Sequence, residues 1–249
     1  MKIVYHPCYI EVYTSDPAAA SGRIEAILKE LKDAYDFVEP QAAAVEDLRR
    51  VHLQSHVESI KREKLVYDIA CLAAGGAIEA AKTAVGGEAS FALIRPPGHH
   101  ASPDHCWGFC YFNNIAVALA NLRNEKLIEN ALILDFDLHF GDGSSNIFEG
   151  TEIKYFHPDA ASRERFIDQI VNKFSYEKNY SILAISAGFD RHVEDWGGLL
   201  TTDDYRTIGR LSKEAADKNC QGRRFAVLEG GYNHGVLGKN VRAFVDGLA

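Results

Sequence analysis

Six apolar runs recur along the chain: KIVYH (2–6), SFALIRP (90–96), ALILDFDLH (131–139), IKYF (153–156), YSILAISAG (180–188) and RFAVLEGG (224–231). Several are nearly continuous in apolar residues and stop at glycine or charge, the pattern of strands covered on both faces. Between them, apolar residues at helical spacing predict helices over 21–35, 45–64, 67–85, 113–126 and 201–219. The stretch 67–85 is alanine-rich and mostly apolar, which predicts a buried helix. Thr202 with Asp203 and Asp204 supplies an N-terminal cap for the last one. Alternating strands and helices predict an α/β fold, a mostly parallel sheet with helices on both faces. No repeat, low-complexity tract or linker interrupts residues 1–249, so a single domain is expected.

Such sheets place their sites beyond the carboxyl ends of the strands. The out-of-place polar residues of this chain fall there. SFALI is followed by RPPGHHASPDHCWGFCYFNN, ALIL by DFDLHFGDG, SILAIS by AGFDRH, and RFAVL by EGGYNH. Four strand ends carrying metal-binding and proton-moving groups predict one site assembled from four loops.

Composition narrows the classes. The net charge is -8 with no polybasic run, which argues against a nucleic-acid partner. No stretch is apolar for long enough to span a membrane, and MKIVYHPCYIEVY lacks a signal-peptide core. The five cysteines are scattered and odd in number, the usage of reduced thiols in a cytoplasm.

The clusters carry specific chemistry. Asp137 and His139, two apart in an extended segment, point to the same side. Asp190 adds a third ligand from a neighbouring loop, leaving positions open for water and substrate. Mixed oxygen and nitrogen ligands suit Zn²⁺, Fe²⁺, Mn²⁺ or Co²⁺. A lone D-x-H is more often a turn; the other three clusters tip the balance to a metal. His99 and His100 supply imidazoles that titrate near neutral pH, and Asp135 and Asp142 are available to fix their tautomers. Tyr232, after two glycines, is placed to stabilise an oxyanion. His52 and His56, one helical turn apart, read as structural. His105, Cys106 and Cys110 lack a fourth zinc partner and read as loop and pocket residues. His157, His192 and His234 lie near the motifs without a role.

In this order RPPGHHA, GFCYFNNIAVA, LDFDLHFGDG, SAGFD and LEGGYN resemble the signature segments of the histone deacetylase family, which includes acetylpolyamine amidohydrolases. The match runs from about Val51 to the C-terminus, and Glu229 in LEGG is closer to the class II and prokaryotic branch. The resemblance implies an arginase/deacetylase-like three-layer α/β/α sandwich and a zinc-dependent deacetylase acting on an acylated amine such as acetyl-lysine or an acetylpolyamine. It implies that Asp137, His139 and Asp190 hold Zn²⁺, that His100 is the general base and that His99 is its electrostatic partner. Asp135 and Asp142 stand behind the two histidines, and Tyr232 binds the oxyanion. Gly108 and Phe109 belong to the wall that holds the acyl-amine stem. It also implies K⁺ near DFDLH, on main-chain oxygens and the Asp135 carboxylate.

The chain departs from the family pattern in its loops. YFHPDAASRERF (155–166) runs almost directly into the next helix, and Pro158 stands where the opposite wall's aromatic is expected. REKLVYDIA has no acidic rim loop before it, and the N-terminal motif is reduced to YTSDPAAASGR. These losses predict a shallow site, suited to a small or bulky acylated amine or completed by a partner chain such as a second copy. Two other readings compete. An arginase-like ureohydrolase needs a further aspartate after His139, where this chain has Phe140-Gly141. An inactive scaffold would not need the intact metal, base and tyrosine positions.

Overall fold

The structure, a computed structural model, describes residues 1–249. Seven strands form one sheet: β1 (Lys2–Val4), β2 (Asp36–Val38), β3 (Ser90–Ala92), β4 (Ala131–Asp135), β5 (Ile153–Phe156), β6 (Leu183–Ala187) and β7 (Arg224–Leu228). Their order is β2-β1-β3-β7-β6-β4-β5. Every pairing is parallel. Strands β4, β6 and β7 are buried at every residue, which is why their sequences read as apolar runs rather than as alternation.

Nine helices connect the strands: α1 (Arg23–Leu31), α2 (Val45–Leu48), α3 (Gln54–Ile60), α4 (Lys64–Val85), α5 (Asn114–Asn124), α6 (Asp142–Phe148), α7 (Arg163–Tyr176), α8 (Thr202–Asn219) and α9 (His234–Leu248). The alanine-rich α4 is largely buried against β1, β3, β7 and α5. Helix α9 packs on α1 and α8. This is the three-layer, parallel-sheet arrangement expected from the alternation. No helix is long and apolar enough to cross a membrane, and all five cysteines are free thiols.

The strands end earlier than their apolar runs. β4 stops at Asp135 and β3 at Ala92, so the residues that carry the chemistry lie in loops just past the sheet. The helix expected over 45–64 is broken into α2 and α3. The turn between them ties the chain to its neighbours: Leu53 N–H donates to the Pro103 carbonyl at 2.7 Å. His52 Nδ1 donates to the Ser102 carbonyl at 2.9 Å, and its Nε2 accepts from the Asn113 N–H at 2.9 Å. Both ring nitrogens are spent on backbone, so His52 has nothing left for a metal, in keeping with a structural role.

That arrangement requires a neutral imidazole, since protonated Nε2 would face the Asn113 donor. Burial, reinforced by His56, pulls the His52 pKa down to about 4. Above pH 6.5 both folded and unfolded forms are neutral. Below it the unfolded chain takes a proton that the folded chain refuses until about pH 4. Stability is therefore expected to fall across that window by about 3 kcal/mol on account of this residue. Urea unfolding at pH 7 and pH 4.5 measures it, with His52→Gln as reference. A wild type no more acid-sensitive than the variant would refute it.

Candidate active site

The four polar loops follow β3, β7, β6 and β4, which are adjacent in the sheet. Their side chains meet in a pocket of about 120 Å³ lined by His99, His100, Trp107, Phe109, His139, Trp196 and Tyr232 among others.

At its floor, Asp137, His139 and Asp190 bring one ligand atom each to within 4.8 Å of one another. His139 Nδ1 lies 3.4 Å from Asp137 Oδ1 and 3.4 Å from Asp190 Oδ2. The carboxylates are aimed by backbone donors. Gly230 N–H reaches Asp137 Oδ2 at 2.8 Å, and Leu138 N–H reaches Asp190 Oδ1 at 3.0 Å. A Cβ on Gly230 would sit 2.6 Å from Asp137 Oδ2, so only glycine lets the backbone come this close.

These residues fit a divalent cation. Asp190 Oδ2 is buried with no hydrogen-bond partner, a costly state unless something positive occupies the space it faces. Burial, and then the neighbouring Asp137 carboxylate, raise the Asp190 pKa above the usual carboxylate range. Contact with the Asp137 carboxylate, and then with that of Asp190, holds His139 up at about 10, so a proton on its imidazole supplies the missing charge. An oxygen–nitrogen–oxygen donor set suits the borderline metals.

Two histidine–carboxylate pairs stand above the floor. His99 Nδ1 donates to Asp135 Oδ2 at 3.0 Å, and His100 Nδ1 donates to Asp142 Oδ1 at 2.7 Å. The rings lie 4.1 Å apart, yet they are tuned in opposite directions. Burial works against charge on His99, but Asp135 and Asp137 overcome it and hold its pKa well above the ordinary value. Burial, helped by His99, pulls His100 down to about 4, leaving it neutral at working pH. A charged partner beside a neutral base is the division of labour a proton-transfer pair needs.

Gly108 and Phe109 form a left-handed pair, with φ of 58° and 66°. A Cβ on Gly108 would fall 2.5 Å from His100 Cδ2. Phe109, strained at positive φ, turns its ring edge-on to Tyr232 at 6.1 Å. Tyr232 is held by Asp195, whose Oδ2 accepts its backbone N–H at 2.8 Å. Arg23, fully buried, donates to the Gly231 and Glu229 carbonyls at 2.8 and 2.6 Å and lies over the Tyr232 ring. The structure thus brings together all ten residues singled out in the sequence.

The expected shallow site needs correction. Pro158 is buried and its carbonyl faces Arg191, so the loop after β5 offers no wall. The wall comes from the loop after β6, as Trp196. It stacks on Tyr232 with centroids 4.0 Å apart and stands edge-on to His139 at 6.2 Å. Opposite it, Trp107 stacks on His100 at 3.9 Å while its Nε1–H donates to Asp142 Oδ2 at 2.8 Å. The chain has only two tryptophans, each about half exposed, and both border this pocket. Their rarity was the available signal.

Other groups are spent on the scaffold. His99, Cys110 and Glu229 cluster as metal ligands could, but the Glu229 carboxyl group already bonds to the N–H groups of Gly98 and His99 and to the Ser186 hydroxyl. It therefore fastens the histidine loop to β7. His56 Nε2 binds the Tyr111 carbonyl, His105 pairs with Asp104, and His192 accepts from the Glu194 N–H. Protein donors reach two of the groups expected to hold K⁺: Tyr155 and His99 on the Asp135 carboxylate, and Arg191 on the Asp137 carbonyl.

Comparison with known proteins places this geometry. The histone deacetylase domain family matches residues 18–157 and 157–248, two segments that meet at the shortened loop after β5. A probable deacetylase of Archaeoglobus fulgidus is 33% identical over 273 residues, covering 89% of this chain and 74% of the relative. A probable deacetylase of Methanothermobacter thermautotrophicus is 32% identical over 304 aligned positions, covering all of this chain and 90% of the relative. The alignment is longer than the chain, so that relative carries segments absent here. The histone deacetylase-like amidohydrolase of Pseudomonas aeruginosa is 27% identical over 286 residues, covering 89% of this chain and 75% of the relative. Among solved structures, the HDA15 HD domain superposes with a TM-score of 0.84 at 22% identity, covering 100% of this chain and 90% of that one, a likeness of fold. With both its sequence and its architecture accounted for, the chain belongs to the histone deacetylase domain family.

Proposed function

We propose that this protein is a metal-dependent amidohydrolase that removes the acyl group from an acylated primary amine, of the acetyl-lysine or acetylpolyamine type. The observation that carries the reading is the unpartnered, buried Asp190 Oδ2 beside Asp137 and His139, directly below two histidine–carboxylate pairs. Asp137, His139 and Asp190 would hold the metal, with Zn²⁺ first and Fe²⁺, Mn²⁺ or Co²⁺ as the other candidates. When bound, that metal supplies a Lewis acid that polarises the carbonyl and acidifies water.

The chain's own residues do the rest. His100, neutral and steered by Asp142, takes the proton of the attacking water at Nε2 and later delivers it to the departing amine. His99, held charged by Asp135, favours the negative charge that develops nearby. Tyr232 donates its hydroxyl to the oxyanion. Trp107, Trp196 and Phe109 flank the acyl-amine stem and exclude water from it.

The test is amine release from acetyl-lysine peptide, free acetyl-lysine and acetylated polyamines by chelated and metal-restored protein. Release that depends on metal supports the proposal. None on any substrate with metal bound would count against it and for the scaffold reading. For the relocated wall, Trp196→Ala is expected to raise KM for the preferred substrate about fivefold to thirtyfold, with a smaller effect on kcat, from lost aromatic contact. Steady-state kinetics separates the two. An unchanged KM would remove Trp196 from the wall.

A further inference from the structure

Arg191 follows the proposed metal ligand Asp190 directly, yet its side chain turns away from the pocket and is buried. Its guanidinium lies beneath the DFDLH segment. Nε donates to the Asp137 carbonyl at 3.0 Å, and Nη2 donates to the Leu138 carbonyl at 3.2 Å and the Pro158 carbonyl at 3.3 Å. Nη2 also donates to His157 Nε2 at 3.0 Å, and the Phe166 ring covers Cζ at 4.8 Å. Burial keeps His157 low, so its imidazole is neutral and accepts. Each of these neighbours of Nε, Nη2 and Cζ is an electron-rich acceptor or a ring face.

Three main-chain carbonyls converging on one buried point are a cation site in all but its occupant. The Asp135 carboxylate, also expected for an inorganic ion, is taken as well. Asp135 Oδ2 accepts from the Tyr155 hydroxyl at 2.8 Å and from His99, and Asp135 Oδ1 accepts from the Asp137 N–H at 3.1 Å. Tyr155 in turn accepts the Gly141 N–H at 2.9 Å, so the phenol closes the space between carboxylate and loop. Charge points the same way. Asp135, Asp137, Asp190 and Glu229 are all buried, and one divalent metal, the Arg191 guanidinium and the charged His99 balance four carboxylates. A further buried ion would leave an uncompensated charge, which is costly.

We infer that the Arg191 guanidinium is a built-in, covalently attached replacement for the monovalent cation under the metal ligands, with Tyr155 capping the carboxylate such an ion would need. Arg191 is a positioning residue. It fixes the carbonyls of the Asp137–Leu138 and Leu138–His139 peptides and so the direction in which Asp137 and His139 leave the backbone. An arginine stays charged at every working pH and cannot dissociate. The protein is therefore independent of the K⁺ around it.

The inference stands on this geometry rather than on the proposed reaction, so its test needs no substrate. Thermal unfolding of the metal-loaded protein is followed while KCl replaces choline chloride at constant ionic strength. A specifically bound ion at a hundred times its Kd would raise the midpoint of a chain this size by roughly 5–10 °C. The wild type is expected to move by less than about 1 °C. Arg191→Ala uncovers the carbonyls; its midpoint is expected to fall and to recover in K⁺ but not in choline. Should that variant not fold, Arg191→Gln keeps a donor for the carbonyls while removing the charge, and the same selective recovery is expected. A K⁺-specific, saturable rise in the wild type would overturn the inference, and so would variants indifferent to K⁺.

Discussion

A Tyr232→Phe protein is expected to lose about 10²–10³-fold in kcat while keeping its fold and its metal. The ring and backbone carry the contacts that position this residue: the Trp196 stack, the Asp195 hydrogen bond and the Arg23 guanidinium over the ring. Phenylalanine preserves all three. What it removes is one donor aimed into the pocket. Burial, and then the carboxylates of Asp137 and Asp190, push the phenol pKa further above its ordinary value, so the hydroxyl keeps its proton and serves as a donor. That donor is worth most when negative charge develops on the carbonyl oxygen, so the loss belongs in kcat with KM little changed. Parallel kinetics and melting curves decide it. A variant with near-normal kcat would remove the tyrosine from the oxyanion site.

Asp190→Asn is expected to abolish stable metal binding and, with it, activity. The substitution keeps size and the Oδ1 bond to Leu138 N–H but replaces a charged ligand by a neutral one. Changing a residue that merely hydrogen-bonds to a metal ligand already costs about 10–100-fold in affinity, and losing a direct ligand should cost more. The readout is thermodynamic. Saturating metal at about a hundred times Kd should raise the wild-type midpoint by roughly 5–10 °C and leave the variant where it was. Equal shifts in both proteins would mean that the metal sits elsewhere.

Six of the seven strands and the four chemical clusters were legible because buried parallel strands leave long apolar runs and because the loops after them had to hold charge. What the runs could not show was where a strand stops. Pairing ended at Asp135 and Ala92 because the following residues turn into the site. Edge strand β2, three residues long, left too short a pattern. Helix α7 carries only Phe166, Ile170 and Phe174 at helical spacing along an otherwise polar stretch, and three glycines obscure the pattern of α9. The residues expected at the site stood out by their clustering at strand ends, except Gly108 and Phe109, which only the family resemblance pointed to. Trp196, Arg191, Tyr155 and Arg23 did not stand out, because each acts through a contact with a segment distant in sequence: Trp196 on Tyr232, Arg191 on Asp137, Tyr155 on Asp135, Arg23 on Gly231. The missing wall shows the same limit, since a short loop in one place says nothing of an aromatic supplied by another.

The last strand in the chain is a middle strand of the sheet. β7 pairs with β3 on one side and β6 on the other, and no other strand joins those two. Synthesis runs from the N-terminus, so a nascent chain lacking residues 224–228 holds two separate half-sheets, one bearing the histidine loop and the other the aspartates. Their unpaired edges face a gap of one strand. The two halves of the proposed site are therefore joined only when β7 pairs, and a chain cut short before it would be not a weaker version of the protein but an unjoined pair of sticky halves for the cell's quality control to clear.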